Sequence, residues 1–232
     1  MKINAEFNKR VAVHSEEMEW IDSPMPGVSR RPLDRIGGEV ARATTIVRYA
    51  ENSHFSSHVH TGGEEFLVLE GIFQDEHGDY PKGSYIRNPP KSSHTPGSDD
   101  GCVIFVKLWQ FQPQDPTHVS VNSNFIKPTP NRNHEGVSTL SLYSDDAEEV
   151  SIQTWQADQT ITIAAEQGIE VLVIEGSYVE SGEPFKKNSW LRLPIGSTLN
   201  AKAGSDGCKV WMKQHHLNRV PDEIKRIEAV NR

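Results

Sequence analysis

Apolar residues along this chain come in short runs, each cut off by Gly, Pro, Asn or Asp. The first runs are ATTIVRY (43–49), EEFLVLEG (64–71), GSYIRNP (83–89) and CVIFVKLWQF (102–111). QTITIAA (159–165), VLVIEG (171–176), NSWLRLP (188–194) and KVWMKQ (209–214) follow. They are rich in Val, Ile, Thr and aromatic residues, whose shapes suit a pleated, half-buried surface. Many short strands with turn signals between them predict an all-β sandwich or barrel. One helix is predicted over 222–230, with Pro221 near its start and a small apolar face from Ile224, Ile227 and Val230. It reads as a C-terminal appendage.

The runs repeat. EEFLVLEG (64–71) resembles IEVLVIEG (169–176), an offset of 105, and GSYIRNPPK (83–91) aligns with NSWLRLPIG (188–196) at the same offset. SDDGCVIFVK (98–107) matches SDGCKVWMK (205–213) at 106, after a one-residue adjustment. A constant offset over three segments marks two copies of one all-β unit. The predicted division is a first domain over 1–115, a linker over 116–134 and a second domain over 135–216. A tail over 217–232 carries the helix. The linker lies within a stretch rich in Pro and Asn (112–134).

Composition narrows the function classes. At 232 residues the chain can form two small domains, each with a core. Its 24 Lys+Arg against 32 Asp+Glu give a net charge of −8. Without a basic block, nucleic acid and anionic membranes are not expected partners, because phosphate binding needs concentrated positive charge. No apolar run approaches a membrane span, and no apolar stretch follows the N-terminal charges as a secretory signal requires. Two cysteines cannot form a disulfide framework. A cytoplasmic protein is the expectation.

The chemistry concentrates in the first copy. His58 and His60, two apart on a strand, face the same side about 7 Å apart along it. Thr61-Gly62-Gly63 then breaks the strand, so that Glu64 can begin the next with its carboxylate turned back. His94, eleven residues after Gly83, offers a fourth ligand from a later strand. Imidazole and carboxylate suit Zn, Fe(II), Mn or Ni.

These residues resemble the two motifs of the cupin superfamily, G(X)5HXH(X)3–4E(X)6G and G(X)5PXG(X)2H(X)3N. His58, His60, Glu64 and Gly71 match the first motif, and Gly83, Pro89 and His94 match the second. Asn52 departs from the first motif, and Lys91 and Ser98 from the second, at loop positions. The stretch from His58 to Cys102 is similar to the ChrR-like cupin family, whose members include an anti-sigma factor and acetylacetone-cleaving dioxygenases. The resemblance implies two tandem cupin (jelly-roll) barrels and one divalent metal per chain, held by His58, His60, Glu64 and His94. It implies a regulatory or sensing protein, or alternatively an Fe(II) dioxygenase cleaving a small diketone-like substrate. On an octahedral ion these four ligands leave two adjacent positions open for a bidentate molecule, whereas tetrahedral zinc would be closed by them. The partner expected is a small-molecule ligand or substrate, with a homodimer left open. Sigma-factor contact would need a separate protein.

The repeat is its own control. At an offset of 105 the four ligands fall on Ile163, Ala165, Ile169 and Leu199, all apolar, so the second barrel is expected to be degenerate and metal-free. Glu65 falls on Glu170 and reads as structural. Tyr85 and Arg87 fall on Trp190 and Arg192, and Cys102 falls on Cys208, which predicts buried strand thiols. The run 74–79 reads as a solvated turn. His134, His215 and His216 lack ligand-spaced neighbours. Phe66 and Val68 share Glu64's alternation and are the candidate substrate contacts inside the barrel.

Overall fold

A computed structural model describes residues 1–231 of the chain. It is built almost entirely of antiparallel strands and forms two compact units. Among the described residues no helix is long and apolar enough to cross a membrane.

The first unit comprises Met1–Ala5, Glu19–Phe125 and the chain from Pro221 onward. Its sheet runs in the order Lys2–Ile3, Val28–Gly37, Ala41–Tyr49, Cys102–Leu108, Glu64–Asp75, Ser84–Asn88, Val119–Asn122. A two-stranded ribbon pairs His58–Val59 with Ser93–His94. Val28, Val47, Phe66, Val68, Phe73, Ile86, Ile104 and Val106 form its buried core.

The second unit comprises Glu6–Met18 and Ile126–Val220. Its sheet runs Thr129–Pro130, Val137–Ser144, Glu149–Trp155, Ser197–Gln214, Ile169–Glu180, Ser189–Leu193, Val11–His14. Trp155, Ile169, Val171, Phe185, Leu191, Leu199 and Met212 fill its core.

The pairing bears out the repeat. Tyr85 opposes Leu67 in the first unit, and Trp190 opposes Leu172 in the second. Cys102 opposes Gly71, and Cys208 opposes Gly176. Both copies bulge at the same place: Leu69 is passed over between the pairs Val68–Ile104 and Glu70–Val103. Ile174 is passed over between Val173–Val210 and Glu175–Lys209. Gly71 follows the bulge at φ +68°, where a Cβ would lie 2.1 Å from the Gly101 carbonyl oxygen, so no side chain is tolerated. Both cysteines are buried free thiols, and burial pushes their pKa up to about 11 for Cys102 and about 12 for Cys208.

The structure revises the domain boundaries. A cut at 115 and 135 misses that Val11–His14 pairs with Ser189–Leu193 in the second unit, while Val119–Asn122 pairs with Ser84–Asn88 in the first. The two added strands are themselves a repeat, VAVHS (11–15) and VSVNS (119–123). In each, the closing serine hydroxyl donates to a backbone carbonyl at 2.7 Å: Ser15 to Asn188, Ser123 to Gly83. Each copy is thus completed by the strand that precedes the other copy in sequence.

The helix, Val220–Val230, is no appendage. Ile227 is buried, and Glu223 accepts a 2.6 Å hydrogen bond from buried Arg42. That guanidinium also donates to Gln110 at 3.0 Å, and Arg226 donates to the Phe111 carbonyl at 2.8 Å. Of the predicted apolar face Ile227 is buried, Ile224 is half-buried and Val230 is exposed.

Candidate metal centre

The ribbon is what assembles the site. His94 lies directly opposite His58 in register, so strand pairing brings together ligands 36 positions apart in sequence. The His60 amide donates to the Ser92 carbonyl, and the Lys91 amide to the His60 carbonyl, both at 2.9 Å, which extends the ribbon by one residue. The chain then turns through Gly62 and Gly63. Trp109 lies so close over Gly62 that a Cβ there would sit 2.1 Å from the indole, and Gly63 adopts φ +77°. Glu64 emerges from this turn at the start of the long strand Glu64–Asp75.

One ring nitrogen from each of His58, His60 and His94 lies within 4.8 Å of the others, and the Glu64 Oε2 lies 3.6 Å from the Nε2 of both His60 and His94. Donors sharing one ion at bonds of about 2.1 Å lie roughly 3 to 3.5 Å apart. The structure thus brings together all four residues singled out by sequence. His60 and His94 are buried and His58 is exposed.

The electrostatics fit a cation. The buried His60 Nε2 has no hydrogen-bond partner, a costly state for a polar atom unless a ligand satisfies it. Burial, helped by neighbouring His94, pushes the His60 pKa down to about 4, so the ring is neutral and its lone pair free. Burial also lowers the pKa of His58, and raises that of Glu64 against the pull of His94 and His58. Burial disfavours the charged forms of His58, His60 and Glu64 alike, and a divalent ion would supply the positive charge that draws Glu64 to its carboxylate form.

Two supporting residues were not read from the sequence. Asp75 places its Oδ2 3.3 Å from His94 Nδ1, while its Oδ1 accepts the His77 amide at 2.8 Å and the Tyr80 hydroxyl at 3.2 Å. Burial would lower the His94 pKa, but Asp75 and Glu64 together raise it. This carboxylate fixes which His94 nitrogen carries the proton and leaves Nε2 for a metal. The solvated-turn reading of 74–79 is corrected at this position: the bulge at Leu69 shifts the alternation, so the inward set continues through Phe73 and Asp75 rather than Gln74 and Glu76. Asn88 sits opposite Glu64 in register with its amide 3.5 Å from Oε2. Its counterpart at offset 105 is Leu193, so the repeat held this signal.

A cavity of about 460 Å³ opens on the site. Its walls include His58, His60 and Glu64, then Val28, Val47, Tyr49, Phe55, Ile104, Val106, Leu108 and Trp109. Phe66 and Val68 do face the barrel interior, but they are core residues outside the cavity wall, with the Phe66 ring 4.6 Å from that of Phe73. Glu65 faces away and accepts a 2.6 Å hydrogen bond from Tyr85. Its counterpart Glu170 is likewise buried, with His216 at 3.0 Å, which gives that histidine a structural partner.

The second unit repeats the ribbon register with hydrocarbon. Ile163 opposes Leu199 as His58 opposes His94, and Ala165, Ile169 and Leu199 belong to its core.

Comparison with known proteins fits this geometry. Residues 8–112 match the family model of the ChrR Cupin-like domain. This segment is similar to the ChrR cupin-like domain. Solved structures share the fold across most of the chain. A candidate dioxygenase from Nostoc punctiforme superposes with a TM-score of 0.72 at 15% identity, covering 90% of this chain and 84% of that one. The Escherichia coli protein Ylba gives 0.68 at 14% identity, covering 90% and 92%. The E. coli pirin YhhW in complex with nickel(II) gives 0.63 at 15% identity, covering 89% and 98%. These likenesses establish the cupin barrel fold, with both barrels within the alignments. No curated protein sequence matches the chain.

Proposed function

We propose that this cupin binds one divalent metal through His58, His60, Glu64 and His94, and that it transforms a small organic molecule seated beside the ion. Dioxygenase chemistry on a diketone-like substrate is the reading the site supports best. The observation that carries it is the cavity. Its largely apolar wall meets three of the four ligand residues, so a ligand set that leaves positions open on an octahedral ion has room for a guest there. A redox-active ion would supply electron transfer to O2 and Lewis acidity toward a carbonyl oxygen. The chain's own residues hold the ligands in place: Asp75 aims His94, the ribbon fixes His58 against His94, and Trp109 packs over the turn that delivers Glu64. The description of the Nostoc relative as a candidate dioxygenase agrees with this reading.

A sensing or regulatory role is the second reading, supported by the match of residues 8–112 to the ChrR cupin-like model. In that case the metal is zinc, which these four ligands would close in a tetrahedral site. Oxygen uptake separates the two. After anaerobic Fe(II) loading, the protein should consume O2 with a small β-diketone, and His94→Ala should abolish the uptake. Zinc retained through purification, with no uptake after Fe(II) loading, would leave the sensing role.

A further inference from the structure

The turn that delivers Glu64 is clamped by Trp109, Gln110 and Phe111, which follow the strand Cys102–Leu108. Leu108 lies opposite Glu64, and Trp109 then takes φ +61°. That left-handed conformation is costly for a large side chain and persists only where neighbours enforce it. The Trp109 amide donates to the Gly63 carbonyl at 3.1 Å. The Phe111 ring lies against Gly63, where a Cβ would sit 2.5 Å from it. The second copy keeps this clamp. His215 takes φ +69°, its amide donates to the Gly168 carbonyl at 3.2 Å, and a Cβ on Gly168 would lie 2.4 Å from Leu217. The clamp itself therefore belongs to the barrel scaffold.

The two copies differ in what holds it. In the second, the Leu217 carbonyl accepts the Val220 amide of its own 3-10 turn, Leu217–Arg219. In the first, the matching Phe111 carbonyl accepts a 2.8 Å hydrogen bond from Arg226, 115 positions away on the C-terminal helix. One helical turn earlier Glu223 holds Arg42, which donates to Gln110. The Gln110 amide in turn donates to the Ala43 carbonyl at 2.9 Å and the Thr44 hydroxyl at 3.2 Å. Glu223 and Arg226 are three apart and share one helix face. The Phe111 ring is also covered by Arg87, whose guanidinium stands 4.0 Å from the ring centre and pairs with Asp115 at 2.7 Å.

Resting on the metal site proposed above, we infer that Arg226 is a positioning residue for that centre: by fixing Phe111 it holds the clamp on the Gly62–Gly63 turn, and so sets where the Glu64 carboxylate stands among the three histidines. Strand pairing fixes His58 against His94. Glu64 instead follows two glycines, the residues whose backbone yields most readily, so its placement depends on what packs against them. A ligand must stand within roughly 0.5 Å of its productive position, a tolerance that a loosened clamp would exceed.

The test is a double-variant cycle on the full chain with Co(II) as the probe metal. It is read by chelator competition and by the visible spectrum, which reports the ion's coordination. Arg226→Ala should weaken Co(II) about three- to tenfold, below the roughly 10–100-fold cost of losing a residue that touches a ligand directly. Its spectrum should shift toward that of Glu64→Gln. In a Glu64→Gln background Arg226→Ala should cost less than about twofold, because the carboxylate it positions is already gone. Arg226→Lys, which keeps a cationic donor, should recover part of the affinity. Lys225→Ala, whose partner is the exposed Asp222 on the same helix, should change nothing. Equal Co(II) affinity in wild type and Arg226→Ala would overturn the inference. So would an equal loss in both backgrounds, the mark of a residue that only stabilises the fold. If circular dichroism shows Arg226→Ala unfolded, Arg226→Gln takes its place in the cycle with the same outcomes. A wild type that takes up no Co(II) would instead overturn the metal site, and this inference with it.

Discussion

Asp75→Asn tests the link between the support of one histidine and the whole centre. The carboxylate is clamped by the His77 amide and the Tyr80 hydroxyl, so asparagine can occupy the same space with its carbonyl on that clamp, while its NH2 group cannot accept the His94 Nδ1 proton as Oδ2 does. Both side chains of the Asp75–His94 pair are almost wholly buried, at 6% and 4% exposure, so water screens the contact weakly. Two full charges 3.3 Å apart would interact by about 5 kcal/mol at an effective dielectric of about 20. A metal-bound imidazole carries only part of a charge at Nδ1, and losing an outer partner of this kind typically costs 10–100-fold in metal affinity, about 1.4 to 2.7 kcal/mol. Chelator competition on the intact chain should therefore show Asp75→Asn weakened by that range. Its metal-free thermal midpoint should stay within a few degrees of wild type. A variant that binds metal as tightly as wild type would refute the orienting role. A variant that has simply lost its fold, read by circular dichroism, would mean that the clamp is structural.

Glu64→Gln should weaken metal binding far more than Glu65→Gln, which should instead cost about 1–3 kcal/mol of stability because the buried Tyr85 hydroxyl loses its charged acceptor; equal metal losses would reverse the assignment. Plasma emission on the intact chain should find one ion, falling to none in His60→Ala, and a residual stoichiometric ion would place a second site elsewhere. Glu223→Ala should destabilise the protein by about 1.5–3 kcal/mol in urea titration, because the buried Arg42 guanidinium loses its shortest charged acceptor and keeps Asp34 and Gln110; a loss below about 1 kcal/mol would make the helix the appendage that its sequence suggested.

What the sequence disclosed depended on whether a residue had a twin. The ligand set stood out because Ile163, Ala165, Ile169 and Leu199 show the same scaffold without it, and the shared register of His58–His94 and Ile163–Leu199 is the physical reason that comparison worked. Asn88 against Leu193 was legible by the same logic. Asp75 was not, because a one-residue bulge six positions upstream reverses which side chains face inward, and alternation counted from Glu64 gives the wrong answer. The packing of the helix through Arg42 and Glu223 joins residues 181 apart, which no local pattern encodes.

The crossed strands give the chain the character of a stapled pair. It passes between the units four times, so no single cut frees either one intact. A break near residue 126 would leave a C-terminal fragment whose strand Ser189–Leu193 has an open edge, and an N-terminal fragment carrying Val11–His14 with no acceptor. Such fragments are complementary by construction: one holds the missing strand of the other, and mixing them should restore what either lacks. In the unbroken protein the same threading couples the two cores, since unravelling one strand row releases a segment leading directly into the other unit. Heating should then give one calorimetric transition for both barrels, although only one of them carries the metal ligands.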